Sequence, residues 1–259
     1  EMQRSLVGSE MCIRDSFYRF KDIRGSLQRA QSGSSLTLRE LLDVGVMLRQ
    51  IRGLTDYYAS AGDAENTLTP LFTELSPNKW LEDKIQNAIL SEDEIADTAS
   101  AELANIRRKI AQAGIRIRES LDKMVRSADV QKSLMDNIVT VRDGRYVLPV
   151  KAEYKGNVKG IVHASSATGS TLFIEPEAVV EANNDIRVLQ GREQEEIERI
   201  IAELSSDCAA CAETMKNDYM TCAELNLYFA KSNLGAKMKG CIPEISDDGV
   251  LELKKARHP

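Results

Sequence analysis

Two long runs of helical periodicity, separated by about 40 residues of strand-like pattern, constrain the fold of this chain most strongly. The first run carries apolar residues in steps of three and four, at Leu103, Ile106, Ile110, Ala113, Ile117, Leu121 and Met124. The second carries a similar stripe, at Ile186, Leu189, Ile197, Ile200, Leu204, Cys208, Cys211, Met215, Cys222, Leu225 and Phe229. Such spacing places each stripe on one face of a helix. Because a single apolar stripe needs a partner, we expect the two helices to pack antiparallel.

Local signals suggest where the helices begin. Thr37 with Glu40 forms a capping box, and Ser76 before Pro77 predicts an N-cap followed by a proline in the first turn. A second capping box, Ser91 with Glu94, predicts that the first long helix starts there and runs to about residue 135. Within it Gly114 is the weak point, where we expect a bend. The second long helix is expected to continue to about residue 234 without a break.

The intervening segment has strand periodicity. Asp143-Gly144 lies between two β-branched runs, which is a strong signal for a hairpin. Pro149 in the second run predicts an edge strand or a bulge, because proline has no backbone donor. Two further strands are predicted at 160–164 and 171–175, joined by the turn-rich loop 165–170. Together these features indicate a small β module.

The expected fold class is therefore mainly α with a small β module, in which long antiparallel helical arms carry the module at their tip. Residues 1–16 lack any periodicity and resemble a non-native adapter peptide. The remaining segments are a helical core at 17–90, an ascending helix at 91–136, the β module at 137–176, a descending helix with core at 177–240, and the start of a truncated domain at 241–259. We expect a fragment of a larger cytoplasmic protein, with its five cysteines reduced. No apolar run is long enough to predict a membrane span.

The charge distribution points to a local rather than a global basic surface. The formal net charge is −6, which argues against a wholly basic nucleic-acid binder. The β module nevertheless has a net charge of +2. Its candidate nucleic-acid contacts are five basic residues and two hydroxyls of the turn-rich loop, namely Arg142, Arg145, Lys151, Lys155, Lys159, Ser165 and Ser166. Such groups can contact phosphates without reading bases, although a solvated hairpin surface would have the same composition.

Other candidate sites have simpler structural explanations. His163 is alone in an apolar strand, and Cys208 and Cys211 lie on the apolar stripe as small buried residues rather than metal ligands. A cluster of glutamates around Ile197 reads as a solvated helix face, although Glu193 lies on the stripe and could meet a basic residue of the other arm. We therefore predict no catalytic residue, no metal site and no cofactor site in this chain.

Two longer motifs resemble a known family. They are Asp-Gly-Arg-Tyr-Val-Leu-Pro-Val-Lys at 143–151 and Gly-Ile-Val-His-Ala-Ser-Ser-Ala-Thr-Gly-Ser-Thr-Leu-Phe-Ile-Glu-Pro at 160–176. Both are similar to the MutS-two family, the second bacterial branch of the MutS group. The segment from Asp22-Ile23-Arg24 through Leu41-Leu42 resembles the family's N-terminal core, and 253–259 resembles the entry to its ATPase domain. The resemblance covers 17–259.

This resemblance implies that the helical arms and the β module correspond to the family's lever and clamp. It also implies a homodimer enclosing nucleic acid, an ABC-type ATPase that uses ATP and Mg, and a C-terminal nuclease domain. The implied ligands are branched or mismatched DNA, or the ribosomal RNA of stalled, collided ribosomes. No G-x-x-x-x-G-K-[ST] motif occurs here, so the ATP site cannot be assigned to this chain. The alternatives are a helical scaffold for dimerisation or protein docking and, less favoured, mismatch recognition as in MutS proper.

Overall fold

The computed structural model describes residues 20–60, 67–240, 247 and 249–251. The expectations for the adapter-like segment 1–16, and for almost all of 241–259, lie outside these residues. The chain divides into two units. The first comprises the described parts of Glu1–Gln86 and Leu204–Pro259, and the second is Asn87–Glu203.

The first unit is helical. It contains α1 (Arg24–Gln31), α2 (Leu38–Ser60), α3 (Thr69–Glu74), most of α4 (Lys79–Ala88), the end of α7 (Glu177–Ala210) and α8 (Ala212–Met238). The predicted capping box of α2 is confirmed, since Thr37 N–H donates to the Glu40 carboxylate at 3.0 Å and Glu40 N–H donates to Thr37 Oγ1 at 3.3 Å. The core of the unit is formed by apolar side chains of these helices, including Leu41, Val44, Met47, Leu48, Ile51, Leu81, Ile85, Leu204, Cys208, Met215, Cys222 and Leu225.

The start of α4 differs from the prediction. Asn78, not Ser76, caps the helix, because its Oδ1 accepts a hydrogen bond from Leu81 N–H at 3.1 Å. Ser76 lies two residues upstream, where its N–H donates to Asp218 Oδ1 at 3.1 Å. Asparagine and serine are comparable N-caps, so the tertiary contact of Ser76 accounts for the choice between them.

The second unit begins with a short hairpin, so the predicted start of the ascending helix at Ser91 is wrong. Ser91 ends β1 (Ile89–Ser91) and Glu94 begins β2 (Glu94–Ile95). A 3-10 turn follows, and α5 spans Ala101–Val125. Ser100 is the true N-cap, since its hydroxyl accepts from Leu103 N–H at 2.9 Å. Pairing of Ile89 with Ile95 buries both side chains. This burial favours the hairpin over a helix capped by Ser91.

The long helices are also shorter than predicted. The first ends at Val125 and is followed by one turn, α6 (Ala128–Gln131). It is continuous through Gly114, where a Cβ would lie 2.9 Å from the hydroxyl of Tyr146, so this glycine makes room for a side chain of the β module. The second is two helices, α7 and α8, that meet at Cys211.

Helices α5 and α7 contact each other within the second unit. Arg107 Nε donates to Glu193 Oε1 at 2.7 Å, and Ser100 Oγ donates to Glu196 Oε1 at 2.6 Å. From Ser100 to Arg107, the contact residue on α7 changes from Glu196 to Glu193. The two helices therefore run antiparallel where they touch. Glu193 thus meets a basic residue of the other helix, as its place on the apolar stripe suggested.

The β module is a four-stranded antiparallel sheet of order β3-β4-β6-β5. Its strands are β3 (Thr140–Arg142), β4 (Arg145–Lys151), β5 (Gly160–Ser165) and β6 (Thr171–Pro176). The predicted hairpin is confirmed, because Asp143 and Gly144 both have positive φ (48° and 75°), as a two-residue turn of type I′ requires. Gly160 is required by a close approach, since a Cβ there would overlap the carbonyl oxygen of Glu175.

Pro149 lies in an interior strand, contrary to the expectation of an edge. Strand β4 pairs with β3 as far as Val147 and with β6 from Leu148 onwards. The Pro149 carbonyl accepts from Met135 N–H at 2.8 Å, on the side away from β6. In an antiparallel strand the N–H and C=O of one residue point the same way. The missing donor of Pro149 therefore faces the side where β3 has ended, and no hydrogen bond to β6 is lost.

One face of the sheet packs on α5 and α7 to form the core of the second unit. This core contains Ile117, Leu121, Val125, Leu134, Leu148, Val150, Val158, Ile174, Val179 and Ile186. The structure is thus mainly helical with a small antiparallel sheet, as the sequence predicted. Within the described ranges, no helix combines the length and the apolar character that a bilayer-spanning segment needs.

Candidate nucleic-acid interface

The sheet separates the predicted contact residues into two groups. Lys151 ends β4 and Ser165 ends β5, so both lie at the end of the sheet that carries the β5–β6 turn. Arg142, Arg145 and Lys159 lie at the opposite end, which carries the Asp143-Gly144 hairpin. Strand β4 has seven residues, which separates the two ends by roughly 20 Å.

We call the end of the sheet that carries the β5–β6 turn the loop end, and define it as Lys132, Lys151, Lys155, Ser165 and the turn 166–170. Lys151 N–H donates to Ser133 O at 2.9 Å, and Lys151 Nζ donates to Lys132 O at 3.4 Å, so the Lys132 backbone lies beside Lys151. Lys155 is in the 3-10 segment Ala152–Asn157, which starts directly after β4. Sequence reasoning missed Lys132 because it fell in a predicted helix, outside the β module.

The three lysines of the loop end have no ion-pair partner among the described residues. Lys132 and Lys155 are exposed and Lys151 is half-buried. Of the carboxylates that the structure describes, none lies within ion-pair distance of any of the three. Lys151 Nζ lies 5.8 Å from the centre of the Tyr154 ring, which adds a weak attraction without neutralising the charge.

The β5–β6 turn presents a row of hydroxyls. Ser166 Oγ accepts from Thr171 N–H at 3.1 Å, and Gly169, at φ 71°, donates its N–H to Ser166 O at 2.8 Å. The Ser166 hydroxyl therefore helps to hold the turn. Thr168 and Ser170 are two further hydroxyls of the turn-rich loop predicted from the sequence, and they form an exposed pair at 2.8 Å.

Arg145 has a structural partner that the sequence did not reveal. Its Nη1 donates to both carboxylate oxygens of Glu175 at 2.8 and 3.0 Å, and its Nη2 donates to Asn184 Oδ1 at 2.7 Å. Glu175 is fully buried, so Arg145 supplies the charge that balances it. Arg142 is exposed, and its guanidinium stacks over Phe173 at 4.5 Å. The hairpin end therefore offers Arg142 and Lys159 as cations without an acidic partner among the described residues.

The buried carboxylate belongs to a wider polar cluster. Asn183 Nδ2 donates to Glu175 Oε1 at 2.7 Å, and His163 Nε2 lies 2.5 Å from Oε2. The amide of Asn183 also bonds the N–H and the C=O of Tyr146, at 3.1 and 3.2 Å, where β6 no longer provides a partner for β4. His163 thus has a structural contact in the sheet.

The three cysteines that the structure describes are Cys208, Cys211 and Cys222. Burial raises the pKa of the Cys208 and Cys222 thiols to about 12, and Asn78 Nδ2 lies 3.4 Å from Cys211 Sγ. Among the described residues, no group of three or more His, Cys, Asp or Glu is placed to hold a metal ion. On the glutamate-rich face, hydrogen bonding by Arg199 lowers the pKa of Glu196 to about 2, which suits a structural ion pair rather than acid–base catalysis.

These features define a class: a mainly helical segment with an antiparallel β module whose ends carry lysine and arginine side chains that have no ion-pair partner among the described residues. The chain is 45% identical over 240 residues to Endonuclease MutS2 of Ruminiclostridium cellulolyticum, covering 92% of this chain and 30% of the relative. Identity to Endonuclease MutS2 of Agathobacter rectalis is 44% over 246 residues, covering 94% and 31%. For the protein of the same name from Caldanaerobacter subterraneus subsp. tengcongensis it is 42% over 247 residues, covering 95% and 31%.

No family model matches the chain. The agreement with these relatives over more than nine tenths of its length nevertheless places the chain in the MutS2 family. The resemblance seen in the two motifs is therefore confirmed. The chain spans about 30% of the length of the curated relatives it matches.

Proposed function

We propose that this chain is the nucleic-acid-binding lever and clamp portion of a MutS2-type protein, and that its loop end contacts the phosphate backbone. The observation that carries this proposal is the trio Lys132, Lys151 and Lys155, which have no ion-pair partner among the described residues of a chain with net charge −6. Uncompensated cations beside a hydroxyl-rich turn are typical of sequence-independent phosphate contacts.

Contact with the backbone is favoured over contact with bases, because the aromatic rings of the β module are already engaged. Phe173 lies under the guanidinium of Arg142, and Arg118 lies 5.6 Å from the centre of the Tyr146 ring. Tyr154 lies beside Lys151. Stacking of successive bases needs a row of accessible rings, and these three do not form one.

The hairpin end supplies a second contact in this proposal. Arg142 and Lys159 lie roughly 20 Å from the loop end, the length of β4. At about 3.4 Å per nucleotide, this separation matches about six nucleotides along one strand. The same nucleic acid could therefore span both ends of the sheet.

For the whole protein we propose the properties that the family resemblance implies. These are a homodimer, an ATPase domain that binds ATP and Mg, and a nuclease domain, the last supported by the relatives' name of endonuclease. The proposed ligands are branched or mismatched DNA, or the ribosomal RNA of stalled, collided ribosomes. All of them present closely spaced phosphates, which a clamp that reads charge would accept.

The proposal predicts a specific loss of salt dependence. The triple variant Lys132→Ala, Lys151→Ala, Lys155→Ala should bind a nonspecific duplex more weakly. Its plot of log affinity against log salt should be flatter by about 2 to 3 units of slope, since each phosphate contact contributes about 0.9. Fluorescence anisotropy at several salt concentrations measures this. The control variant Lys79→Ala, Lys237→Ala, Lys239→Ala removes the same charge from the first unit and should keep the wild-type slope.

A separate variant, Arg142→Ala with Lys159→Ala, tests the hairpin end, with an expected reduction in slope of up to about 2. A loop-end variant whose slope equals that of the control would rule out phosphate contact by these lysines. The alternative function, a helical scaffold for dimerisation or protein docking, would then be favoured. Photocrosslinking of the wild-type chain to a labelled duplex distinguishes the two, since a scaffold should give no adduct.

A further inference from the structure

Strand β5 forms one edge of the sheet in the second unit. It pairs with β6 on one side, and the described residues place no strand on its other side. Residues 160–162 lie opposite 174–176 of β6 in regular register, and a bulge follows Val162. An unpaired edge of this kind presents backbone N–H and C=O groups to which another strand can bond.

The hydrogen-bond pattern shows which backbone groups of β5 face the open side. Glu177 N–H donates to Lys159 O at 3.1 Å, in the register that continues the pairing of β5 with β6. Hydrogen-bonded and non-hydrogen-bonded residues alternate along an antiparallel pair, so Ile161 bonds to β6 whereas Gly160 and Val162 do not. The N–H and C=O groups of Gly160 and Val162 therefore point away from β6.

A groove of about 590 Å³ lies between β5 and the first turns of α7. Its lining residues are Gly160 and Ile161 of the strand and Glu177, Val180, Glu181 and Asn184 of the helix. The four helix residues are three or four positions apart, which places them on one face of α7. An extended peptide can add a strand to an exposed sheet edge and place alternate side chains in adjacent pockets.

The groove is acidic on its helical side and apolar at the strand. Glu177 and Glu181 are exposed, lie one helical turn apart and have no ion-pair partner among the described residues. Ile161 is 50% exposed. Two carboxylates repel phosphate and attract basic side chains, so the charge of the groove favours a basic peptide over nucleic acid.

We propose that an extended protein segment with the pattern basic–apolar–basic binds beside β5 as a fifth, antiparallel strand. Side chains alternate between the two faces of a sheet, and Val162 packs against the core that α7 helps to form. The segment residues opposite Gly160 and Val162 therefore point to the α7 side, where basic side chains meet Glu177 and Glu181. The residue between them points to the other face and packs on Ile161.

The antiparallel direction follows from the short length of regular edge. The bulge limits regular pairing to residues 160–162. In an antiparallel pair, Gly160 and Val162 each exchange two hydrogen bonds with the residue opposite, which gives four bonds over three residues. A parallel segment of the same length would form only two. This binding involves neither the lysines of the loop end nor the proposed contact with phosphates.

A labelled peptide tests the charge requirement. The peptide Lys-Val-Lys-Val-Lys, carrying fluorescein, should bind the 259-residue chain saturably in fluorescence anisotropy. The variant Glu177→Lys, Glu181→Lys should bind it more than about tenfold more weakly. The same variant should bind Glu-Val-Glu-Val-Glu, which the wild type should not, and an unfolded variant could not do so. The control Glu119→Lys, Asp122→Lys makes the same charge change at exposed acids of α5 and should bind both peptides as the wild type does.

Backbone methylation of the peptide tests the added strand. Methylation of the lysine N–H groups should abolish binding, because these groups face β5, whereas methylation of the valine N–H groups should be tolerated. In amide hydrogen exchange followed by NMR, the unmodified peptide should slow exchange at Gly160 and Val162 and leave Ile161 unchanged.

Several results would overturn the proposal. They are the absence of saturable binding, equal weakening by the α5 control, equal binding of the two methylated peptides, and exchange at Gly160 and Val162 that the peptide does not slow. Displacement of the bound peptide by a nonspecific duplex would identify nucleic acid as the occupant of the groove instead.

Discussion

At the scale of single residues, Glu175 explains why charge on a strand does not predict a surface role. Its carboxylate is fully buried, and two adjacent donors, Arg145 and Asn183, hold it in place. Burial of an ionised group is costly unless it is paired and hydrogen-bonded. Arg145, which is a candidate phosphate contact in the sequence, is therefore required inside the sheet.

Removing this carboxylate should destabilise the second unit strongly. We expect Glu175→Ala to lower the free energy of unfolding by about 3–5 kcal/mol, because Arg145 is then left with a poorly solvated and unpaired charge. Urea unfolding followed by circular dichroism measures the change. Lys21→Ala, which breaks the exposed pair with Asp43, is the control and should cost less than about 1 kcal/mol. Equal losses of unfolding free energy in the two variants would show that the Glu175 cluster stabilises the protein no more than an exposed ion pair does.

Asp218 is a second residue whose role depends on its surroundings. It is 2% exposed, and its Oδ2 has no hydrogen-bond partner in the described structure. Burial, together with nearby Glu74, raises its pKa from 3.8 to about 6, although the Ser76 N–H acts in the opposite direction. A raised pKa in the folded state means that the folded state binds the proton more tightly. The favourable contribution of Asp218 to the free energy of unfolding is therefore complete below about pH 4 and is lost as the pH rises through 6.

The variant Asp218→Asn should remove this dependence. The free energy of unfolding of the variant minus that of the wild type should rise by about 1–3 kcal/mol from pH 4.5 to pH 7.5. A pKa difference of one unit corresponds to about 1.4 kcal/mol. Urea unfolding at the two pH values gives the comparison. Asp83→Asn, at an exposed aspartate of the same unit, serves as the control and should track the wild type. A difference between Asp218→Asn and wild type that is independent of pH would contradict the assignment.

At the scale of elements, the start of α5 shows competition between two serines. Ser91 and Ser100 are both followed by residues with helical periodicity, but only Ser100 caps the helix. We expect Ser100→Ala to cost about 1–2 kcal/mol of unfolding free energy, because the Leu103 N–H loses its acceptor and the contact with Glu196 is lost. Ser91→Ala is the matched control and should change stability by less than about 0.5 kcal/mol. Thermal unfolding of both variants provides the measurement, and a larger loss for Ser91→Ala would refute the observed helix start.

The elements that the sequence predicted best are those encoded by neighbouring residues. The Asp143-Gly144 turn depends on two backbone conformations, and the α2 capping box depends on Thr37 and Glu40 alone. The break at Cys211 and the end of α5 at Val125 were missed, because no glycine or proline marks either position. Pro149 was misplaced because its tolerance depends on where a neighbouring strand ends, which the local sequence does not contain.

At the scale of the whole molecule, the chain should not respond to nucleotide. Its sequence has no phosphate-loop motif, so we expect ATP with Mg to leave its melting temperature unchanged in differential scanning fluorimetry. A ligand that binds the folded state at concentrations far above its dissociation constant would raise that temperature. An ATP-dependent increase, absent with AMP, would show a nucleotide site that lacks the phosphate-loop motif.

The sequence alone determined the class of fold and the family, because periodicity, turn chemistry and long motifs are local properties of the chain. Tertiary structure decided which charges are available. Lys132 lies beside Lys151 only because the backbone returns along β4. Arg145 is unavailable for a ligand only because it pairs with the buried carboxylate of Glu175. Hydrophobic burial sets where these groups lie, and the cost of burying an unpaired charge then determines which of them remain exposed. Both effects act between residues far apart in sequence, so no local pattern could encode them.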